Sequence, residues 1–331
     1  MAQNVSQGIL TRMYRIMVRI RKFEESLIEP LEKKEIACPV HLYTGQEAVA
    51  AGVCVNLKKE DSVFSTHRSH GHYIAKGGDT RTLMAELYGK ATGCSKGRGG
   101  SMHIASPDVG LSGSSAIVAG TIPLAVGTAL AFSMQRKDAI SVAFFGDGAT
   151  NEGTFYEALN FGGLRRLPVV FVCENNAYST HMPISCCLAD IDIYKKAEIF
   201  GMPGVRVDGN NVLEVYKIAK KAIENARNGN GPTLMECMTY RWRGHVGPSY
   251  DLDKGLRSKE ELEYWMNKDP IKQLEESLFK QGLLSESEKT KIYEAIEKEV
   301  RQAFTFAKES PYPDKDEVAL SVFKTWRRIA A

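Results

Sequence analysis

The sequence predicts an α/β protein: a parallel β-sheet with helices on both faces, extended by further helices at its N- and C-terminal ends. Three observations carry this. AISVAFF (Ala139–Phe145) is an apolar run of strand length that stops at Gly146-Asp147-Gly148, where glycines let the chain turn sharply and approach a ligand closely. Pro168 opens a second buried run, VVFVC, which ends at Glu174-Asn175-Asn176. Between the two, Asn151 and Glu152 supply a cap and an acidic first turn, and Phe155, Leu159 and Leu164 an apolar stripe, so a helix is predicted there. Strand, helix and strand of these lengths read as a right-handed crossover unit, which makes the strands parallel and neighbours or near-neighbours in one sheet.

The other elements follow in chain order. Leu10–Lys33 reads as an amphipathic helix with Met13, Ile16, Met17, Ile20, Phe23 and Leu27 on one stripe, which core packing and subunit packing explain equally well. Thr44–Ile104 carries helix and strand signals and a Gly-rich loop at Thr92–Gly100 that lacks the lysine and hydroxyl order of a nucleotide phosphate loop. Gly113–Met134, rich in Ala and Gly, reads as a loop entering a closely packed helix. Pro203–Asp208 is a short strand, Val212–Asn228 an amphipathic helix, and Pro232–Tyr240 another strand that delivers Arg241 and His245 at its carboxyl end. Gly244–Arg257 has little periodicity, so a mobile loop is expected near the site. Ser258 to Lys308 is charged and helical, with a break at Lys268-Asp269-Pro270. The organisation expected is an N-terminal helical extension over 1–35, one binding domain over 36–256 and a C-terminal helical extension over 257–331.

Composition narrows the function. The chain has 331 residues, 43% hydrophobic and 25% charged, with a net charge of +3, which suits a globular enzyme with a large core. Its Lys and Arg are dispersed without a basic patch interleaved with aromatics, so no nucleic-acid partner is expected. No apolar run reaches the roughly 18 residues of a membrane span. Seven cysteines without a regular framework read as reduced thiols. The start MAQNVSQG has no signal or transit character, and a cytoplasmic location is expected.

The chemistry is expected where the first two strands end. Asp147 and Asn176 fall at the same edge of the sheet, on strands about 4.8 Å apart if adjacent. The crevice beyond the carboxyl ends of such strands is where open α/β sheets bind ligands. A carboxylate with an amide oxygen is hard-oxygen ligation suited to Mg²⁺, which needs few protein ligands when phosphates and water complete its octahedron. A helix starting near Ala149 would aim its positive end at a phosphate. Together these point to a phosphate-ester cofactor held through a divalent metal.

GDG followed at this interval by NN is the thiamine-diphosphate signature. Four further segments agree with it: His41–Ala48 (HLYTGQEA), Ser65–His72 (STHRSHGH), Gly97–His103 (GRGGSMH) and Tyr240–His245 (YRWRGH). From about Leu10 to Pro311 the chain resembles the α subunit of the decarboxylating dehydrogenase component of 2-oxo acid and acetoin dehydrogenase complexes. That resemblance implies a thiamine-diphosphate-binding fold and a role for each matching position. Asp147, the Asn176 side chain and the main-chain carbonyl of Tyr178 match the Mg²⁺ ligands. Gly148 and Ala149 match main-chain diphosphate contacts, and Arg68 and Arg241 match the diphosphate-binding arginines. His67 stands at a cofactor contact where many members have Tyr, and Ala116 and Val118 match main-chain positions that hold the aminopyrimidine ring. His41 and His245 match histidines placed around the thiazolium ring, with pKa values that suit proton transfer at neutral pH.

Six of the seven histidines fall in these segments. A zinc reading is set aside, because zinc spacings pair His with Cys or use an HExxH helix and neither occurs. His70 is carried forward as a catalytic candidate, with loop ordering an equal reading; His72 and His103 are read as structural, and His181 is unassigned. Glu47 is rejected as the glutamate that activates the cofactor, since the family carries that residue on a β subunit and no pyrimidine-binding domain is found here. The resemblance thus implies an assembly of two α and two β chains, cleavage of pyruvate or a similar small 2-oxo compound, and transfer of the acyl unit to a lipoyl-bearing acyltransferase. An acetoin dehydrogenase α subunit and a non-catalytic relative are the alternatives. Val246 occupies the place of a regulatory phosphoserine in eukaryotic members, so that regulation is not expected.

Overall fold

The computed structural model describes residues 5–317. The first four residues of MAQNVSQG and residues 318–331 of the predicted C-terminal extension lie outside the described residues. In chain order the helices are α1 (Gln7–Ser26), α2 (Ile28–Glu32), α3 (Glu47–Cys54), α4 (His70–Ala75), α5 (Thr80–Leu87), α6 (Thr121–Met134), α7 (Gly153–Leu164), α8 (Val212–Arg227), α9 (Lys259–Asn267), α10 (Pro270–Lys280) and α11 (Glu286–Glu309). The strands are β1 (Ser62–Ser65), β2 (Leu111–Ser114), β3 (Ser141–Gly146), β4 (Val169–Asn175), β5 (Tyr178–Ser179), β6 (Met182–Pro183), β7 (Gly204–Asp208) and β8 (Thr233–Met238). Six of them form one parallel sheet in the order β2-β1-β3-β4-β8-β7, while β5 and β6 make a small antiparallel hairpin.

The period of two along the central strands sorts their side chains into two cores. Val142, Phe144, Val170 and Val172 pack on one face against α3, α4 and α8. Ala143, Phe145, Phe171 and Cys173 pack on the other against α6 and α7. With both faces covered, these strands are continuous apolar runs, the pattern the sequence shows. A third core joins the ends of the chain: Leu10, Met13, Tyr14 and Met17 of α1 meet Ile271, Leu274, Ile292 and Ile296 of α10 and α11, over Ala48 and Ala51 of α3.

Three expectations change. The helix after β3 begins at Gly153, with neither Asn151 nor Glu152 capping it through a side chain. Thr150 Oγ donates to the Asp147 carbonyl at 2.8 Å, and Asp147–Asn151 tightens into a 3₁₀ turn instead of opening the α-helix near Ala149. The N-terminal helix ends at Ser26 rather than Lys33, because Pro30 has no N–H to return to Ser26 and the chain restarts as α2. Strand β2, LSGS, was not predicted at all: four residues with a glycine carry no apolar run.

Candidate active site

The order of strands reverses between β1 and β3. β2 lies on one side of β1 and every later strand on the other, so the crevice opens at the carboxyl ends of β1 and β3. The segments following β1, β2, β3, β4 and β8 all reach it, and supply Arg68, Ala116, Asp147, Asn176 and Arg241 respectively to one cleft. Its enclosed volume is about 190 Å³, below the roughly 300–1,000 Å³ of pockets that surround a whole ligand. A larger groove of about 550 Å³ runs beside α1 and α11, but Lys22, Glu297 and their neighbours there are paired surface charges.

Asp147 and Asn176 are brought together as expected. The Asn176 backbone N–H donates to Asp147 Oδ1 at 3.3 Å, the Asn176 amide N–H donates to Gln46 Oε1 at 3.0 Å, and the amide Oδ1 accepts from the Tyr178 N–H at 3.4 Å. Ala177, in the left-handed region at φ 68°, turns the chain so that Tyr178 also lines the cleft. Asp147 is 1% exposed, yet its Oδ2 has no hydrogen-bond partner. Burial pushes this carboxyl up to about 6. An orphaned buried carboxylate oxygen beside an amide oxygen is the donor set a divalent cation would satisfy. A Cβ at Gly148 would lie 2.4 Å from the Ser179 hydroxyl, so only glycine keeps that side of the cleft open.

The two arginines of the cleft have no carboxylate hydrogen-bond partner. Arg68 and Arg241 are buried and donate only to carbonyls, Arg68 to Leu42 and His245, Arg241 to Arg243 and Thr180. Burial first, and then the neighbouring guanidinium, pulls Arg68 down to about 9; burial and Arg257 pull Arg241 down to about 10. Beside them His41 meets His67 and His245 edge to face and His67 lies tilted to His245, with ring centroids 4.6–5.4 Å apart. Burial, reinforced by Arg68, holds His41 down to about 3, His67 to about 2 and His245 to about 4, so all three are neutral imidazoles at pH 7. Two unpaired buried arginines are a seat for a polyanion, and the residues present fit a diphosphate.

The loop Gly244–Arg257 is tied down at two buried charges. Asp251 accepts from the His245 backbone N–H at 2.9 Å and from Ser249 and Lys254, contacts that hold its carboxyl down to about 2 despite burial. Arg257 donates to the carbonyls of Arg241, Trp242 and Tyr250. Neither was singled out in the sequence, nor were Ser179 and Thr180 at the cleft, while Gln46 falls in the HLYTGQEA segment without a role assigned to it. His181, also unassigned, sits at the rim, its ring 6.1 Å from that of His245.

Other candidates fall elsewhere. His70 is fully buried beneath the cleft, with Nδ1 2.9 Å from Glu24 and Nε2 2.9 Å from the Ser101 hydroxyl, so neither nitrogen is open to a reacting atom. His72 is likewise buried between Ser65 and Glu174, and His103 is exposed outside the cleft. Glu47 is fully buried in an ion pair with Arg21 and does not line the cleft. The glycines of Thr92–Gly100 cradle a carboxylate of this chain: Glu86 accepts the N–H groups of Ser95, Gly97, Gly99 and Gly100 at 2.7–3.1 Å. The zinc reading set aside on spacing returns in another form, because His41, His67 and His245 come from three distant segments and local spacing could not reveal them.

The family model described as "Dehydrogenase E1 component" matches residues 15–316. The α subunit of acetoin:2,6-dichlorophenolindophenol oxidoreductase from Bacillus subtilis is 44% identical over 319 residues, which cover 96% of this chain and 94% of that one. The pyruvate dehydrogenase E1 component subunit alpha of Porphyra purpurea is 42% identical over 328 residues, 97% of this chain and 94% of the other. The protein of the same name from Rhizobium meliloti is 39% identical over 308 residues, 93% and 88% of the two chains. With a parallel sheet whose switch point carries this cleft, and a family match that spans nearly its whole described length, the chain belongs to the dehydrogenase E1 component family.

Proposed function

We propose that this chain is the α subunit of a thiamine-diphosphate-dependent dehydrogenase that cleaves pyruvate or acetoin and transfers the acyl unit to a lipoyl-bearing acyltransferase. The observation that carries this is the unbalanced charge of the cleft: an orphaned Asp147 oxygen on one side and two buried arginines without carboxylate partners on the other. Asp147, the Asn176 amide oxygen and the Tyr178 carbonyl would hold Mg²⁺; Arg68, Arg241 and the main chain at Gly148 and Ala149 would hold the diphosphate. Ala116, Val118 and His67 would border the rest of the cofactor.

When bound, thiamine diphosphate supplies the carbanion chemistry that breaks the bond next to the substrate carbonyl. The chain's own residues position and move protons. His245 is fixed by its N–H to Asp251 and by Arg68 Nη2, which donates to the His245 carbonyl at 3.1 Å. One arginine thus ties the diphosphate seat to the proton-transfer residue. The imidazoles of His41 and His245, neutral at pH 7, can accept a proton or donate one through N–H, and a dianionic group on the arginines would shift both back toward the ordinary histidine range. His70, through Glu24 and Ser101, holds the segment that presents Arg68.

A β subunit, in an assembly of two α and two β chains, would complete the site. α6 is apolar on all sides, Ile117 and Val118 stand exposed at the mouth of the cleft, and Leu124 is exposed in the first turn of α6. That uncovered face, beside a cleft too small for the whole cofactor, is where the second chain fits. No helix among the described residues is long and apolar enough to cross a membrane, and seven unpaired cysteines favour the cytoplasm. The B. subtilis and P. purpurea relatives differ too little in identity to separate acetoin from pyruvate. Turnover of pyruvate, acetoin and branched 2-oxo acids by the chain co-expressed with a β subunit decides the substrate; absence of turnover with all of them would contradict the reading.

A further inference from the structure

We propose that His41, His67 and His245 form a second metal site, for a borderline transition ion such as Zn²⁺, distinct from the hard-oxygen site at Asp147 and Asn176. One ligand atom from each histidine lies within 4.8 Å of the others. Tetrahedral bonds of about 2.0–2.1 Å require nitrogens about 3.4 Å apart, a contraction that rotation of side chains in a cleft can supply. Three imidazoles with a fourth position left open is the ligand count of an accessible zinc site rather than a closed structural one. The ligand type separates the two sites, because imidazole suits Zn²⁺, Co²⁺ and Cu²⁺ whereas carboxylate, carbonyl and water suit Mg²⁺.

The ring atoms are also available. His41 Nδ1 is buried and bonds to nothing, in a residue only 7% exposed. The backbone ties of the His245 segment to Asp251 and Arg68 keep that ligand in place. Arg68 and Arg241 oppose a second cation, which favours hydroxide or another anion at the fourth position. An ion here engages the two histidines assigned to proton transfer, so it acts as a reversible inhibitor whichever 2-oxo compound the enzyme takes.

Cobalt tests the site without relying on catalysis. The full-length chain titrated with Co²⁺ is expected to take up one equivalent, with a visible band of nitrogen–oxygen ligation and no near-ultraviolet thiolate band. Zn²⁺ should bleach the band and excess Mg²⁺ should not. His67→Ala, and separately His41→Ala, should weaken Co²⁺ binding at least roughly 10-fold while far-ultraviolet circular dichroism stays unchanged. Asp147→Asn should leave Co²⁺ affinity within a few fold. The proposal is overturned by any of three results: a thiolate band, from the exposed Cys186 for example; Co²⁺ affinity unmoved in both histidine variants; or displacement by Mg²⁺. None of these bears on the cofactor or substrate reading.

Discussion

Asp147 combines burial, an orphaned oxygen and a raised pKa, and these make its substitution informative in both directions. Since its folded-state pKa is above the unfolded value, protonation favours the fold. That contribution is fully present below the ordinary aspartate value of 3.8 and is lost as pH rises through about 6. In the metal-free chain Asp147→Asn, neutral at every pH, is therefore expected to raise stability at pH 7 by up to roughly 3 kcal/mol, with the gain fading toward pH about 4. Thermal unfolding at both pH values checks this, and a variant less stable than the parent at pH 7 would contradict it. The same variant should lose Mg²⁺-supported cofactor binding by calorimetry. His245→Ala should keep cofactor affinity within a few fold and lower turnover about 10²-fold or more; unchanged turnover would reduce His245 to ordering its loop. The pair Asp147 and Asn176 was legible in the sequence because each directly follows a strand and the strands are adjacent. The direction of a ring in a buried helix is not, which is why His70 read as a catalytic candidate and sits instead between Glu24 and Ser101.

Among the elements, the join between the terminal helices and the sheet domain rests on buried charge. Arg21 of α1 pairs with Glu47 of α3 and with Asp269 at the start of α10, and stacks 3.8 Å over the Trp242 ring beside Arg241. Removing one member leaves a buried guanidinium with half its partners. Glu47→Ala should destabilise the chain by about 3–5 kcal/mol in urea, and Mg²⁺-supported cofactor affinity of the folded fraction should change only a few fold. A stability loss under about 1 kcal/mol would show that the pair is solvated in solution. Element existence was readable wherever an apolar run or a 3.6 period was strong, as in β3, β4, α8 and α11. The ends of elements were not, because tertiary contacts decide them: the Thr150 bond to the Asp147 carbonyl displaces the start of α7, and Pro30 ends α1.

The whole molecule presents a small cleft beside an uncovered apolar face. Arg68, Asp147, Asn176 and Arg241 line the cleft, while Ile117 and Val118 are 72% and 51% exposed at its mouth. The resemblance implied a partner chain, but the sequence could not show that α6 has one side unpacked, since a helix apolar all round reads as buried. The most direct test is decarboxylation of 2-oxo acid by the purified full-length chain with thiamine diphosphate, Mg²⁺ and an artificial electron acceptor, with and without a separately purified β subunit. Negligible turnover alone, restored when the β subunit is added, is the predicted result; comparable turnover by the chain on its own would contradict a site shared between two subunits.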